Sequence, residues 1–180
     1  MASSLSRAAE YAAGVVRSAQ SVSVQPARPE DFERIAALTV GVYVRGGLAS
    51  EAYAPELADV AGRASRSELL VVRDDGDDVV GAVALVLDGD FGNVTESDEE
   101  AAFRMLVVDP AVQGRGVGEL LVTACLDRAR AAGKRRMVIS TDPRMTAAHR
   151  LYERLGFTRL PERDWAPEPG IDLLVYALDL

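Results

Sequence analysis

Residues 105–118, MLVVDPAVQGRGVG, restrict this chain more than any other stretch. An apolar run halts at Asp109 and Pro110, glycines follow at 114, 116 and 118, and Val117, Leu120, Leu121, Ala124 and Cys125 then recur at helical spacing. A buried strand that turns through glycine into a helix needs a sheet with helices packed on it. The turn also has a chemistry of its own. Glycine admits a ligand close to the backbone, and the first amides of a helix have no partner inside it, so together they can aim several N–H donors at a phosphate. The spacing is not the G-x-G-x-x-G of a dinucleotide fold, and no Lys-Ser or Lys-Thr follows, as a nucleoside triphosphate loop requires.

The flanking segments extend this unit into a single domain, the amount of structure that 180 residues ordinarily build. Residues 1–20, rich in Ala, Ser and Arg, read as an N-terminal extension with a frayed helix over 5–18, a transit peptide being the alternative; residues 21–180 read as the domain. Within it, a strand is predicted at 21–25 and a helix at 29–44, with Ile35, Leu38 and Val42 on one face. A second helix falls within 55–64. Strands at 68–73 and 79–87 form a hairpin around the Asp- and Gly-rich turn 74–78. After the strand at 101–108 and the helix that Gly133 ends, a strand runs over 136–141. Asp142 then serves as N-cap, with Pro143 at the first position of a helix to Leu155 that Gly156 closes. Strands at 157–160 and 171–180 complete a mixed α/β sheet of six to seven strands flanked by about four helices.

Composition removes several function classes. A net charge of −8 disfavours nucleic acid as a partner. No run approaches the roughly 18 apolar residues that span a bilayer. The lone Cys125 permits no internal disulfide and lies on an apolar helical stripe, as a core residue does; the lone His149 cannot complete a zinc site with it, so no metal is expected. These features fit a cytoplasmic protein. Charge is unevenly spread, net +6 over 113–163 and −14 elsewhere, with acids concentrated at 74–78 and 96–100. That asymmetry places a polyanionic ligand with the second half and lets the first half steer a cationic one.

A second stretch, residues 147–157, AAHRLYERLGF, sharpens the reading. Gln113-x-x-Gly116-x-Gly118 after a strand ending in Val-Asp-Pro, followed by Ala148-x-x-Leu151-Tyr152-x-x-Leu155-Gly156-Phe157, resembles the GNAT family of acetyl-CoA-dependent N-acetyltransferases. The resemblance covers about residues 32–180 and is specific over 101–157. It implies that two strands splay around the pantetheine arm, gripped by the main chain of Leu106, Val107 and Val108. It further implies that the amides of Gln113, Gly114, Arg115, Gly116, Val117 and Gly118 hold the pyrophosphate, and that Tyr152 is the general acid for the departing thiolate. On pattern alone, Tyr152 shares a stripe with Ala148, Leu151 and Leu155, where a tyrosine is ordinarily a core aromatic.

The chain departs from the family at two positions. Met145 stands where an asparagine often contacts the cofactor, and Ala102 where some members carry a glutamate base. Glu100, one alternation earlier on the same strand face, is the candidate base through a water, with Ser140, Asp142 or simple capture of a less basic amine as alternatives. His149 reads as a surface or capping residue. Acceptor contacts are implied at 40–55 and 161–170, where Tyr43, Tyr53 and Trp165 either wall a pocket or pack. The acidic clusters favour a cationic acceptor such as a polyamine, an aminoglycoside or a protein amino terminus. The resulting expectation is acetyl transfer from acetyl-CoA to a primary amine by direct attack; the alternative is an acyl-CoA-binding sensor or interaction module without turnover. Homodimers are common among such domains.

Overall fold

Strands that are apolar on both sides must be covered on both faces, and the central strands here have that character. The computed structural model describes residues 23–180 apart from 90, 92, 93 and 169. The extension and the helix predicted over 5–18 lie outside the described residues. The strands are β1 (Val24–Pro26), β2 (Glu68–Arg73), β3 (Val79–Val86), β4 (Glu100–Val108), β5 (Arg136–Thr141), β6 (Thr158–Arg159), β7 (Trp165–Glu168) and β8 (Ile171–Asp179). Their order is β1-β2-β3-β4-β5-β8-β6, with β7 alongside β8. Every pairing is antiparallel except that of β4 with β5.

The helices are α1 (Phe32–Tyr43), α2 (Ala54–Ala58), α3 (Val60–Ala64), α4 (Val117–Ala131) and α5 (Thr146–Arg154). Alternation along β2 divides the core. Leu69 and Val71 face Ile35 and Leu38 of α1 and Val60 of α3, whereas Leu70 and Val72 face the opposite layer, which holds Leu121, Val122 and Cys125 of α4 and Tyr152 of α5. Gly81 of β3 sets how closely α4 can dock: a Cβ there would lie 2.7 Å from Val117 Cγ1 and 3.1 Å from Leu121 Cδ1. A side chain at 81 would lift the first turn of α4 off the sheet.

Several sequence expectations are corrected. The first helix begins at Phe32 because Pro29–Asp31 forms a 3-10 turn. The single helix within 55–64 is two, broken at Asp59, whose carboxylate caps Gly62 N–H. The last helix begins at Thr146 rather than Pro143, because Asp142 spends its carboxylate on the Arg144 amide and guanidinium instead of capping. β7, interrupted by Pro167, makes an eighth strand where six to seven were predicted.

β4 carries the irregularity that matters most for the site. Its register against β3 shifts between Ala82 and Ala84, and Met105 in the bulge has φ 52°. One extra residue in a strand reverses the facing of everything beyond it. Accordingly Phe103 packs toward α4 while Val107 packs toward α1, although simple alternation would put both on one face. The parallel ladder with β5 holds only from Glu100 to Ala102, and past that point the two strands part.

Candidate active site

The opening between β4 and β5 leads to the glycine turn. Asp109 closes β4 by accepting from Ala111 N–H and from Arg34, which also donates to Val79 O. Gly114 and Gly116 then adopt φ of 78° and 85°, in the left-handed region that favours glycine. Among the described residues, no acceptor in the chain takes the N–H of Gly114, Gly116, Val117 or Gly118. A Cβ at Gly114 or Gly116 would meet nothing within 4 Å, so the concave side of the turn is open. Gly118 has a packing reason as well: a Cβ there would lie 3.3 Å from Leu151 Cδ2 of α5. The free amides, the positive end of α4 and Arg115 together suit a diphosphate.

Leu106, Val107 and Val108 lie on β4 beyond the last ladder pair with β5. Leu106 O accepts from the Tyr43 hydroxyl at 3.4 Å, and burial pushes the Tyr43 phenol up to about 12. Tyr152, 4% exposed, stands within an aromatic cluster whose ring centres lie 5.8 Å (Phe103), 5.7 Å (Phe157) and 6.2 Å (Tyr176) away. Burial, with the Tyr43 phenol adding to it, raises the Tyr152 pKa far above its ordinary value, so its proton stays in place across the neutral range. Tyr152 is thus a core aromatic, as the helical stripe predicted. Cys125 lies behind it, its thiol pushed up to about 12 by burial, as an inert core residue should be.

In front of the β4 bulge is a cavity of about 620 Å³. Tyr43 and Tyr53 wall it from the first half of the chain, Ala102, Arg104 and Met105 from β4, Thr141 and Asp142 from the end of β5, and Trp165 from β7. Its walls thus include parts of 40–55 and 161–170, together with β4, the end of β5 and the loop residues Arg66 and Phe91. Arg144 fixes the near rim by donating to Gly47 O at 2.6 Å and Leu48 O at 3.3 Å while gripping Asp142. That guanidinium, more than the opposing effect of burial, holds the Asp142 carboxyl below the usual range. His149 Nε2 lies 3.1 Å from Asp142 O and 3.5 Å from Thr141 Oγ1, joining α5 to the end of β5.

Glu100 is placed differently from expectation. It shares a strand face with Ala102 but does not reach the cavity. Its oxygens accept from both Arg163 nitrogens at 2.8 and 3.0 Å and from Glu96 N–H at 2.8 Å, and Arg163 also grips Glu96 and Val94 O. Burial opposes ionisation, but the guanidinium and the amide outweigh it and keep the carboxyl below the glutamate range. A low-pKa carboxylate with three donors on it is a poor base. The acidic run 74–78 sits on the β2–β3 turn and does not line the cavity either.

Sequence reasoning missed Arg66, Phe91 and Arg104. A visible signal existed for Arg104, the one charged side chain between Ala101 and Val108. For Arg66 and Phe91, both on loops, there was none. Among the described residues, no helix is long and apolar enough to cross a membrane, and no group of three metal-binding side chains converges.

Residues 33–157 match the model of the acetyltransferase (GNAT) family. Over 52 residues the chain is 52% identical to a mycothiol acetyltransferase of Streptosporangium roseum, covering 29% of this chain and 15% of that protein. Over 51 residues it is 43% identical to the L-methionine sulfoximine/L-methionine sulfone acetyltransferase of Salmonella typhimurium, covering 28% and 30%. The aligned segment thus spans less than a third of either relative. Among solved structures, a GNAT-family acetyltransferase from Staphylococcus aureus superposes with a TM-score of 0.71 at 13% identity, over 88% of this chain and 99% of that one. The yncA protein of Salmonella typhimurium, solved with its cofactor acetyl-CoA, superposes with a TM-score of 0.62 at 23% identity, over 88% and 94%.

Proposed function

The chain belongs to the GNAT acetyltransferase family, and from that premise we propose that it moves the acetyl group of acetyl-CoA to a primary amine by direct attack within a ternary complex. The observation that carries this reading is the parting of β4 and β5 after three ladder pairs, immediately before an open glycine turn with unpartnered amides. In this reading Gln113, Gly114, Arg115, Gly116, Val117 and Gly118 seat the pyrophosphate. The main chain of Leu106, Val107 and Val108 aligns the pantetheine arm, and an amide of that strand polarises the thioester carbonyl.

The amine nitrogen attacks the carbonyl carbon, the carbon–sulfur bond breaks, and the thiolate takes a proton. Tyr152 supplies that proton as general acid: burial keeps the phenol protonated across the neutral range, and the raised pKa that makes it a weak donor has to be offset by the bound cofactor in this reading. The same burial makes a lasting tyrosinate costly, so the phenol regains its proton as the amide product sheds one. Glu100 is left out of the proton path. Asp142, on the cavity wall, accepts a hydrogen bond from the incoming amine, and its low pKa makes it an orienting group more than a strong base.

The test is calorimetry with acetyl-CoA followed by free-thiol release across an amine panel. Acetyl-CoA binding with amine-dependent thiol release is expected. Tight binding with no release above hydrolysis for every amine would favour an acyl-CoA sensor, and absence of binding would end the proposal.

A further inference from the structure

The charge on the cavity wall is not the charge that the acidic sequence suggested. Asp142 is matched by Arg144, and Glu56 lies 3.8 Å from Arg66. Among the described residues these are the acids on the wall, and each already faces a guanidinium. Two positive charges are left over. Arg104, half-buried on β4 one residue before the bulge, makes no hydrogen bond or ion pair with any described residue. It stacks with Phe91 instead, its guanidinium carbon 4.6 Å from the ring centre, and Arg66 lies 4.1 Å from the same centre. Behind the wall Arg63, 2% exposed, donates only to Leu57 O and leaves Nε without an acceptor.

A guanidinium withdrawn from water is stable when a carboxylate or comparable anion faces it, and its forked donors fit a planar carboxylate in two bonds. Among the described residues, no carboxylate does so for Arg104 or Arg63. Burial and the nearby Arg104 charge both depress Arg63, the direction expected where positive charge is uncompensated.

We infer that the acceptor supplies the missing anion: it is an amine that also bears a carboxylate, bound by Arg104 with Arg66 beside it on Phe91. This rests on the acetyl-transfer reading and deepens it. Arg104 and Met105 are neighbours on the strand that borders the opening, so the anchored carboxylate holds its amine within the same cavity, a few bonds from the thioester. A polycation would meet Arg104 and find both described wall carboxylates already paired, contrary to the expectation drawn from the acidic runs.

Matched triplets of amines test this, each comprising a carboxylate, its carboxamide and the decarboxylated amine. Two readouts are taken: thermal shift of the CoA-saturated protein at millimolar amine, and thiol release from acetyl-CoA. Carboxylate members should bind and turn over roughly tenfold or more better than their uncharged or cationic counterparts. R104Q should erase that preference without changing acetyl-CoA affinity, R104K should restore part of it, and R66Q should weaken it. Equal or better use of the amide or decarboxylated member would overturn the inference. So would a preference that survives both R104Q and R66Q, or no carboxylate binding to the CoA-loaded protein. Failure to bind acetyl-CoA at all would instead bring down the transferase reading, and this inference with it.

Discussion

Replacing Gly81 by alanine tests the packing that aims the glycine turn. In an ordinary strand the change should stabilise, since glycine in a strand interior is destabilising by roughly 0.5–1 kcal/mol relative to alanine. Here the new Cβ would sit 2.7 Å from Val117 Cγ1, on a β-branched side chain with little rotameric freedom, and 3.1 Å from Leu121. Overpacking of that kind costs about 1–3 kcal/mol, so the sign reverses and a net loss of about 1–2 kcal/mol is expected. For a domain of this size that is about 2–8 °C in Tm. Because Val117 opens α4, relief of the clash moves the unpartnered amides, and acetyl-CoA affinity should fall together with stability. Urea denaturation and calorimetry measure the two. The double variant G81A/V117A should be less destabilised than the sum of the single changes, as for residues in contact. A G81A protein as stable as the parent, with unchanged acetyl-CoA affinity, would refute the account of how α4 is positioned.

Three further outcomes are expected. Y152F should lower kcat by about a hundredfold or more with little change in acetyl-CoA affinity, the size ordinary for general-acid loss; unchanged kcat in a single-turnover assay would remove the phenol from proton transfer. G116D should abolish acetyl-CoA binding, since a side chain at φ 85° is strained by about 1–2 kcal/mol and its carboxylate faces the diphosphate; calorimetry reads this directly. R163M should strand the buried Glu100 carboxylate and cost about 3–5 kcal/mol at neutral pH, measured by denaturant unfolding. Since Glu100 titrates below its ordinary value in the fold, its contribution is full above the usual glutamate range and fades on acidification through the lower folded value. The gap between parent and R163M should therefore narrow as pH falls, and a gap that widens would contradict the ion pair.

The parts of the fold readable in the sequence are those set by neighbours along the chain. The hairpin around residues 74–78, the turn at 114–118 and the apolar stripe of α4 stand where local pattern put them, apart from Leu120, which is 39% exposed while Val122 is buried in its place. Misreadings arose where a distant residue decided the outcome. Asp142 has the form of an N-cap, but Arg144 draws its carboxylate away while reaching the carbonyls of residues 47 and 48. Glu100 lies on the expected face, yet its partner is 63 residues further on. Strand alternation through β4 fails at the Met105 bulge, and no residue there announces an inserted position. Two of the cavity's wall segments were legible but its charge was not, because the net −8 of the whole says nothing about which side chains a wall collects.

The stretch from Thr141 to Tyr152 has a mechanical consequence. Within these twelve positions are wall residues of the cavity, the arginine that fastens the 47–48 rim, the histidine pinned to the end of β5, and the buried phenol of Tyr152. Rim and phenol therefore hang from a single short lever, and a strain applied to the rim by a bulky guest has a covalent route of less than three helical turns to Tyr152.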